Sequence, residues 1–231
     1  MRQLLATDRD SRVFASCRDP SGATELGELA SQHPARLKVI ALDVSKEQTI
    51  IRAAESLRHE ADELHLVLNA SGVLHGPGFV PEKRLAQVKT EVLRAAFEVN
   101  AFGPLIVAKH FHGFLRHRRR SVFASLSARV GSISDNRLGG WYSYRGSKAA
   151  QNMFTKTLSI ELARVAPQAI VVGLHPGTVD TDLSKPFQRN LPKAQLLAPS
   201  SSVASLLEVI ARLGPEDTGK VFDFRGGEVF P

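Results

Sequence analysis

Tyr144 and Lys148 stand four residues apart in the run Trp141-Tyr142-Ser143-Tyr144-Arg145-Gly146-Ser147-Lys148-Ala149-Ala150. On a helix this spacing puts a phenol and an ammonium on one face. A neighbouring cation favours the phenolate, which lowers a tyrosine pKa from about 10 toward the working pH. A tyrosine tuned in this way can give a proton to a carbonyl oxygen or take one from an alcohol. The alternative is a solvated Tyr/Lys pair on a surface helix, so the pair has to be weighed against the elements that would hold it.

Those elements alternate. Apolar β-rich runs at residues 12–16, 37–42, 64–68, 121–126, 169–174 and 220–224 read as strands. Between them, residues 21–32, 45–59, 90–115, 143–165 and 201–213 carry helical periodicity. The 90–115 helix holds Asn100 and is interrupted at Gly103-Pro104. Continuous apolar strands alternating with helices predict an α/β fold, a doubly wound parallel sheet in three αβα layers. No linker, repeat or low-complexity tract divides the chain, so residues 1–231 read as one domain. Residues 180–200 form a long polar segment with three prolines, expected to lie over a pocket, with Leu183, Phe187 and Leu191 as apolar contacts.

In such a sheet ligands collect at the carboxyl ends of the strands. Arg18, Asp43, Asn69, Ser127 and Pro176-Gly177 all fall just past predicted strand ends. The helix bearing Tyr144 begins on that same edge, and this convergence weakens the surface-pair reading.

Composition narrows the setting. A chain of 231 residues with 43% hydrophobic content can bury a full core. One cysteine, Cys17, excludes a disulfide framework and fits a reducing, cytoplasmic location. No apolar run reaches the ~18 residues of a membrane span. The net charge of +7 is concentrated in Arg116-His117-Arg118-Arg119-Arg120, between a helix and a strand. Without interleaved aromatics this run reads as a solvated loop rather than a nucleic-acid surface. His110, His112 and His117 do not share one helical face at metal-ligand spacing, and no metal is expected.

In order along the chain, Asn69-Ala70-Ser71-Gly72, Val99-Asn100, a serine after the 121–126 strand, Tyr144-x-x-x-Lys148 and Pro176-Gly177-Thr178-Val179-x-Thr181 resemble the short-chain dehydrogenase/reductase family. The runs Leu126-Ser127-Ala128-Arg129-Val130-Gly131-Ser132-Ile133 and Gly139-Gly140-Trp141-Tyr142-Ser143-Tyr144-Arg145 resemble its C-factor/sniffer-like carbonyl reductase branch. The resemblance implies a Rossmann-like fold and hydride transfer between NADPH and a small carbonyl or alcohol substrate. A non-catalytic signalling or binding protein of C-factor type on the same fold is the alternative.

The resemblance also implies roles. Tyr144 would be the general acid/base, Lys148 would tune it and bind the nicotinamide ribose, and Ser127 would bond the substrate oxygen. Asn100 would hold a water linking Lys148 to solvent. Pro176, Gly177, Val179 and Thr181 would pass beside the nicotinamide. Asp43 and Val44 would approach the adenine, and Asn69, Ala70 and Gly72 would pack on the adenosine half. The serine is open: aligned from the strand it is Ser127, aligned back from Gly131 the position is Ala128, and Ser132 lies nearer to Tyr144. Arg18 stands where the family discriminates cofactors, and an arginine there fits the extra phosphate of NADP, with NAD as the alternative and Asp19 arguing against it. The two long helices imply a homodimer or homotetramer.

The family's first strand and Gly-rich turn have no counterpart, because no Gly-x-x-x-Gly-x-Gly occurs. That strand would sit between the second and fourth, and the turn would carry pyrophosphate contacts. The chain is expected to be a late-started version of a full reductase. A short form that binds cofactor poorly or not at all is the other reading.

Overall fold

The first two apolar runs pair with each other. The computed structural model describes every residue except Asn190, and of Lys193 only the backbone. Helix α1 (Arg2–Thr7) is followed by β1 (Val13–Cys17), α2 (Thr24–Gln32), β2 (Leu37–Ala41) and α3 (Glu47–Arg58). β1 and β2 are parallel, with Val13 opposite Leu37 and Cys17 opposite Ala41, and α2 supplies the crossover such pairing needs. Leu5, Ala15, Leu29 and Leu37 bury together. Arg36 ties α1 to β2 by donating to the carbonyls of Leu5 (3.1 Å), Asp8 (2.5 Å) and Ser11 (3.1 Å). α2 starts later than the expected residue 21. The Asp19 carboxylate takes both the N–H (3.0 Å) and the hydroxyl (2.5 Å) of Ser21 and holds a turn there. These elements make one compact unit, Met1–Ala61.

The second unit is Asp62–Pro231. Its sheet contains β3 (Leu66–Asn69), β4 (Ser121–Leu126), β5 (Ala169–His175) and β8 (Val221–Asp223), in the order β3-β4-β5-β8 and all parallel. β4 and β5 are buried almost throughout, as their unbroken apolar runs require. Val122, Ala124, Ile170, Val172 and Leu174 pack with Leu206, Val209 and Ile210 of α7 (Pro199–Arg212). A two-residue parallel pair, β6 (Thr178–Val179) with β7 (Leu196–Leu197), lies inside the segment expected to be irregular.

The strands are all parallel, as expected, and the described residues pair them as β1–β2, as β3-β4-β5-β8 and as the short β6–β7 pair. Among the described residues β1 pairs only with β2, and β3 only with β4. These are the two strands between which the resemblance places a further one.

The expected 90–115 helix also divides. It becomes α4 (Thr90–Phe97), a π-helical turn (Glu98–Phe102), α5 (Gly103–Phe111) and a 3-10 turn (His112–Leu115). The break falls before Gly103-Pro104. Pro104 has no N–H to return to residue 100, and the Gly103 N–H reaches back five residues to the Glu98 carbonyl. α6 (Tyr142–Val165) is one unbroken helix. The basic run is less solvated than expected: Arg119 pairs with Glu63, and Arg120 donates to the carbonyls of Ile210 and, at 3.1 Å, Leu213, closing the end of α7. Among the described residues no helix is long and apolar enough to cross a membrane.

Candidate active site

At the carboxyl end of β4 the chain turns against α6. The Lys148 ammonium donates to the Leu126 carbonyl at 2.7 Å and to Gln151 Oε1 at 2.8 Å. The next residue, Ser127, donates its hydroxyl to Asn152 Oδ1 at 2.6 Å. Tyr144, Lys148 and Asn152 follow one another at four-residue steps, so they share a face of α6. Gly131 permits this closeness, since a Cβ there would stand 2.9 Å from the Lys148 main chain and 3.1 Å from Asn152 Nδ2. Asn152 was not among the sequence candidates, although the four-residue step that links Tyr144 to Lys148 leads to it.

Burial governs the titration of this face. It pushes the Tyr144 phenol up to about 12 and the Lys148 ammonium down to about 7. The expected lowering of the tyrosine by a lysine cation is therefore corrected: burial sets the direction, and it is upward. The ammonium is 5.9 Å from the centre of the phenol ring, is bonded elsewhere, and is itself disfavoured as a cation.

Asn100 sits fully buried in the π-helical turn. Its Oδ1 accepts the Val73 N–H at 2.7 Å, and its Nδ2 donates to the Val73 carbonyl (2.8 Å) and the Ser147 hydroxyl (3.0 Å). It thereby ties the loop after β3 to α6, one residue before Lys148. A Cβ on Gly72 would lie 3.7 Å from Asn100 Oδ1 and 4.0 Å from the Lys148 ammonium, ordinary contact distances, so this turn lies beside both groups. Asn69 folds its Oδ1 onto Ser71 (hydroxyl at 2.9 Å, N–H at 3.4 Å), while its buried Nδ2 has no partner among the described residues. Ala70 lies between them in the same turn.

β5 ends in His175-Pro176-Gly177. Burial pushes His175 down to about 4, against the pull of Asp223, so the ring is neutral. Pro176 gives its carbonyl to the Ser202 hydroxyl at 2.7 Å. Gly177 has φ +78°, and a Cβ there would strike Leu197 at 2.7 Å. Val179 pairs with Leu197, and the Thr181 hydroxyl returns to the Val179 carbonyl at 3.4 Å. Of the three expected pocket contacts, Phe187 packs on Trp141 (ring centres 5.0 Å) and His75 (5.8 Å). Leu183 is exposed and Leu191 half-buried. Asn190, in the same segment, lies outside the described residues.

Of the serine candidates, Ser127 is the one joined to the α6 face. Ser132 is closed into its own turn, accepting the Asp135 N–H at 3.1 Å and meeting the Ser134 hydroxyl at 3.3 Å. Ala128 is buried.

In the first unit, Arg18, Asp43 and Val44 follow the carboxyl ends of β1 and β2. Arg18 is exposed. Burial works upward on the Asp43 carboxyl, but the Ser45 hydroxyl (2.7 Å) and N–H (3.0 Å), with the charges of Lys46 and Arg18, hold it below its usual value. Asp19, whose charge argued against an anion at Arg18, is folded onto Ser21.

Elsewhere in the second unit, Glu63, His65 and His117 bring ligand-type atoms within 4.8 Å of one another. Arg119 already holds the Glu63 carboxylate, and a His117 ring nitrogen lies 3.0 Å from the Leu64 carbonyl.

The chain is similar to known proteins in sequence and in fold. The sequence model of the short chain dehydrogenase family matches residues 4–192. An oxidoreductase of Schizosaccharomyces pombe is 33% identical over 232 residues, covering 96% of this chain and 88% of that protein. The C-signal protein of Myxococcus xanthus is 40% identical over 146 residues, covering 63% of this chain and 82% of that one. Among solved structures, an NADPH-bound carbonyl reductase from chicken fatty liver matches with a TM-score of 0.88 at 29% identity, covering 100% of this chain and 92% of that chain.

Proposed function

The chain belongs to the short-chain dehydrogenase family, with a Rossmann-like parallel sheet flanked by helices, and from that premise we propose that it is an NADPH-dependent reductase of small carbonyl compounds. The observation that carries this reading is the junction of β4 with α6. It groups Lys148, Ser127 and Asn152 on the face that bears Tyr144.

NADPH, when bound, supplies the hydride. Tyr144, kept protonated by burial, gives its proton to the carbonyl oxygen as the alcohol forms. The hydroxyl of Ser127 turns from Asn152 to the same oxygen and stabilises the charge that gathers there. Lys148 would hold the ribose hydroxyls of the cofactor. A water held by Asn100 would join Lys148 to solvent and return the proton.

The residues present fit a dinucleotide. The Asn69 amide is a buried donor without a partner among the described residues, which a polar group of the cofactor would satisfy. In the second unit, Asn69, Ala70 and Gly72 would meet the adenosine half. Pro176, Gly177, Val179 and Thr181 would meet the carboxamide end. In the first unit, Asp43 and Val44 would meet the adenine and Arg18 the 2′-phosphate. We read residues 1–231 as one domain, because the family match runs through both units. We place the chain in the cytoplasm on its single cysteine. The exposed Phe102, Met153 and Ile160 support pairing of two copies through the helical layer.

The test is direct. The purified chain should shift NADPH fluorescence and reduce small aldehydes or ketones. Tyr144→Phe should abolish turnover and leave cofactor binding intact. Full activity in that variant would remove Tyr144 from the mechanism.

The likeness to C-signal favours a second reading, a signalling protein on the same fold. Failure of the wild-type chain to bind either dinucleotide would move the assignment there.

A further inference from the structure

The helix that carries Tyr144 has no capping side chain of its own, and its first residues enter from an unusual backbone. Gly139, Gly140 and Trp141 have φ of +63°, +65° and +52°. Two glycines bear this freely, whereas a tryptophan in the left-handed region costs about 1–2 kcal/mol and must be held there. What holds it comes from far away in sequence.

Glu82 is only 3% exposed. Its carboxylate accepts the Ser143 N–H at 3.2 Å and the Ser143 hydroxyl, across 61 residues of chain. Its main-chain carbonyl accepts the Trp141 N–H. Gly140 lets the two segments pass, since a Cβ there would sit 3.2 Å from that carbonyl. One residue therefore bonds both neighbours of Tyr142, and its negative charge faces the positive end of the helix dipole. The Trp141 ring, fixed in this way, stands edge-on to the Tyr144 ring at 6.2 Å and 74°.

We infer that Glu82 is a positioning residue for Tyr144: its buried carboxylate caps α6 from a distant loop while its carbonyl pins Trp141, fixing the turn that presents the phenol. The consequence for catalysis rests on the proposed role of Tyr144; the clamp itself does not. The action is geometric. The raised proton affinity of the phenol has burial as its cause, so loss of Glu82 should leave the inflections of the pH–rate profile in place.

Trp141 is the single tryptophan of the chain, so its fluorescence reports the clamp without any turnover. Glu82→Ala and Glu82→Gln are compared with wild type in the full chain. In Glu82→Ala, acrylamide should quench Trp141 faster and its anisotropy should fall. kcat should drop about tenfold or more with the NADPH KM held within about twofold, the pattern of a misplaced catalytic group. Glu82→Gln keeps an acceptor for the Ser143 N–H and, with the bond reversed, offers its amide N–H to the Ser143 hydroxyl, and should restore most of both signals. The main-chain carbonyl survives this substitution, so unchanged quenching in a Glu82→Ala chain with native circular dichroism would overturn the carboxylate's part and with it the proposal. Unchanged kcat with altered quenching would overturn its bearing on Tyr144. If Glu82→Ala does not fold, Glu82→Gln with Trp141 as loosely held as free tryptophan would overturn the clamp, and wild-type quenching would support it. A wild-type chain without reductase activity would refute the function, while the quenching comparison still tests the clamp.

Discussion

The Lys148 ammonium is 2.7 Å from the Leu126 carbonyl and 5.9 Å from the centre of the Tyr144 ring. The lysine is thus anchored to the strand end, with its ammonium over the phenol ring at the outer limit of a cation–π contact. Burial then acts on both groups in the same sense, favouring the neutral form of each.

This arrangement makes stability depend on pH in a defined way. Lys148 titrates near 7 when folded and near its ordinary 10.5 when unfolded. Between those values the unfolded chain holds the extra proton, so this residue makes stability rise with pH, by at most about 1.4 kcal/mol per pH unit. Tyr144 works oppositely: its folded value of about 12 lies above the ordinary 10.0, so its contribution falls between them. Urea unfolding of wild type and Lys148→Met from pH 6 to 9.5 measures the first effect. The variant's advantage should be largest at pH 6 and shrink steadily above 7. A constant difference would show that the lysine is not desolvated.

Arg18 should decide between the two dinucleotides. It is exposed at the end of β1, and the acid beside it, Asp19, is bonded to Ser21. A charge-assisted bond from a guanidinium to a phosphate is worth about 1.5–3 kcal/mol. Arg18→Ala should therefore weaken NADPH binding about 10- to 100-fold and leave NADH binding nearly unchanged. Calorimetric titration with both cofactors reads this, and an equal loss for the two would remove Arg18 from the phosphate.

The nearness of Tyr144 and Lys148 is legible because they are four residues apart on one helix, a relation that needs no tertiary knowledge. Strand ends were legible for the same reason, and they located Asn69, Ser127 and Pro176. What sequence reading missed depends on distant parts of the chain. Glu82 reaches Ser143 across 61 residues, and no local pattern announces that bond. The phenol shift was misjudged because burial, not the neighbouring cation, sets it. The π-helical turn at Asn100 hides inside ordinary helical periodicity, and β6 and β7 are each two residues long, too short for an alternating signal.

Gly131 is a steric requirement. A methyl group there would meet the Lys148 main chain at 2.9 Å, and a helix backbone cannot step aside as a flexible side chain can. Gly131→Ala should cost about 1–3 kcal/mol, the range for overpacking a well-filled site. It should also weaken the Ser127–Asn152 contact by lifting the turn from α6. Urea midpoints give the first quantity. A variant as stable as wild type would mean that the turn has room to move.

Ser127 and Ser132 make opposite predictions because their hydroxyl protons and lone pairs are used differently. The Ser127 proton goes to Asn152 Oδ1 at 2.6 Å, on the same helical face as Tyr144 and Lys148. Turning about one bond can redirect it to a substrate oxygen. Ser132 is 2% exposed and accepts the Asp135 N–H, so its hydroxyl closes its own turn. Removing a donor that stabilises developing negative charge costs about 100- to 1,000-fold in kcat. Ser127→Ala should fall in that range with Tm nearly unchanged, and Ser132→Ala should keep kcat within about twofold while losing about 1 kcal/mol of stability. Asn152→Ala leaves the Ser127 hydroxyl without its resting partner, so it should lower KM for the carbonyl substrate and not the rate. Steady-state kinetics on the three variants separates these cases. A large loss of kcat in Ser132→Ala with Ser127→Ala unaffected would move the oxygen-binding role to the later serine.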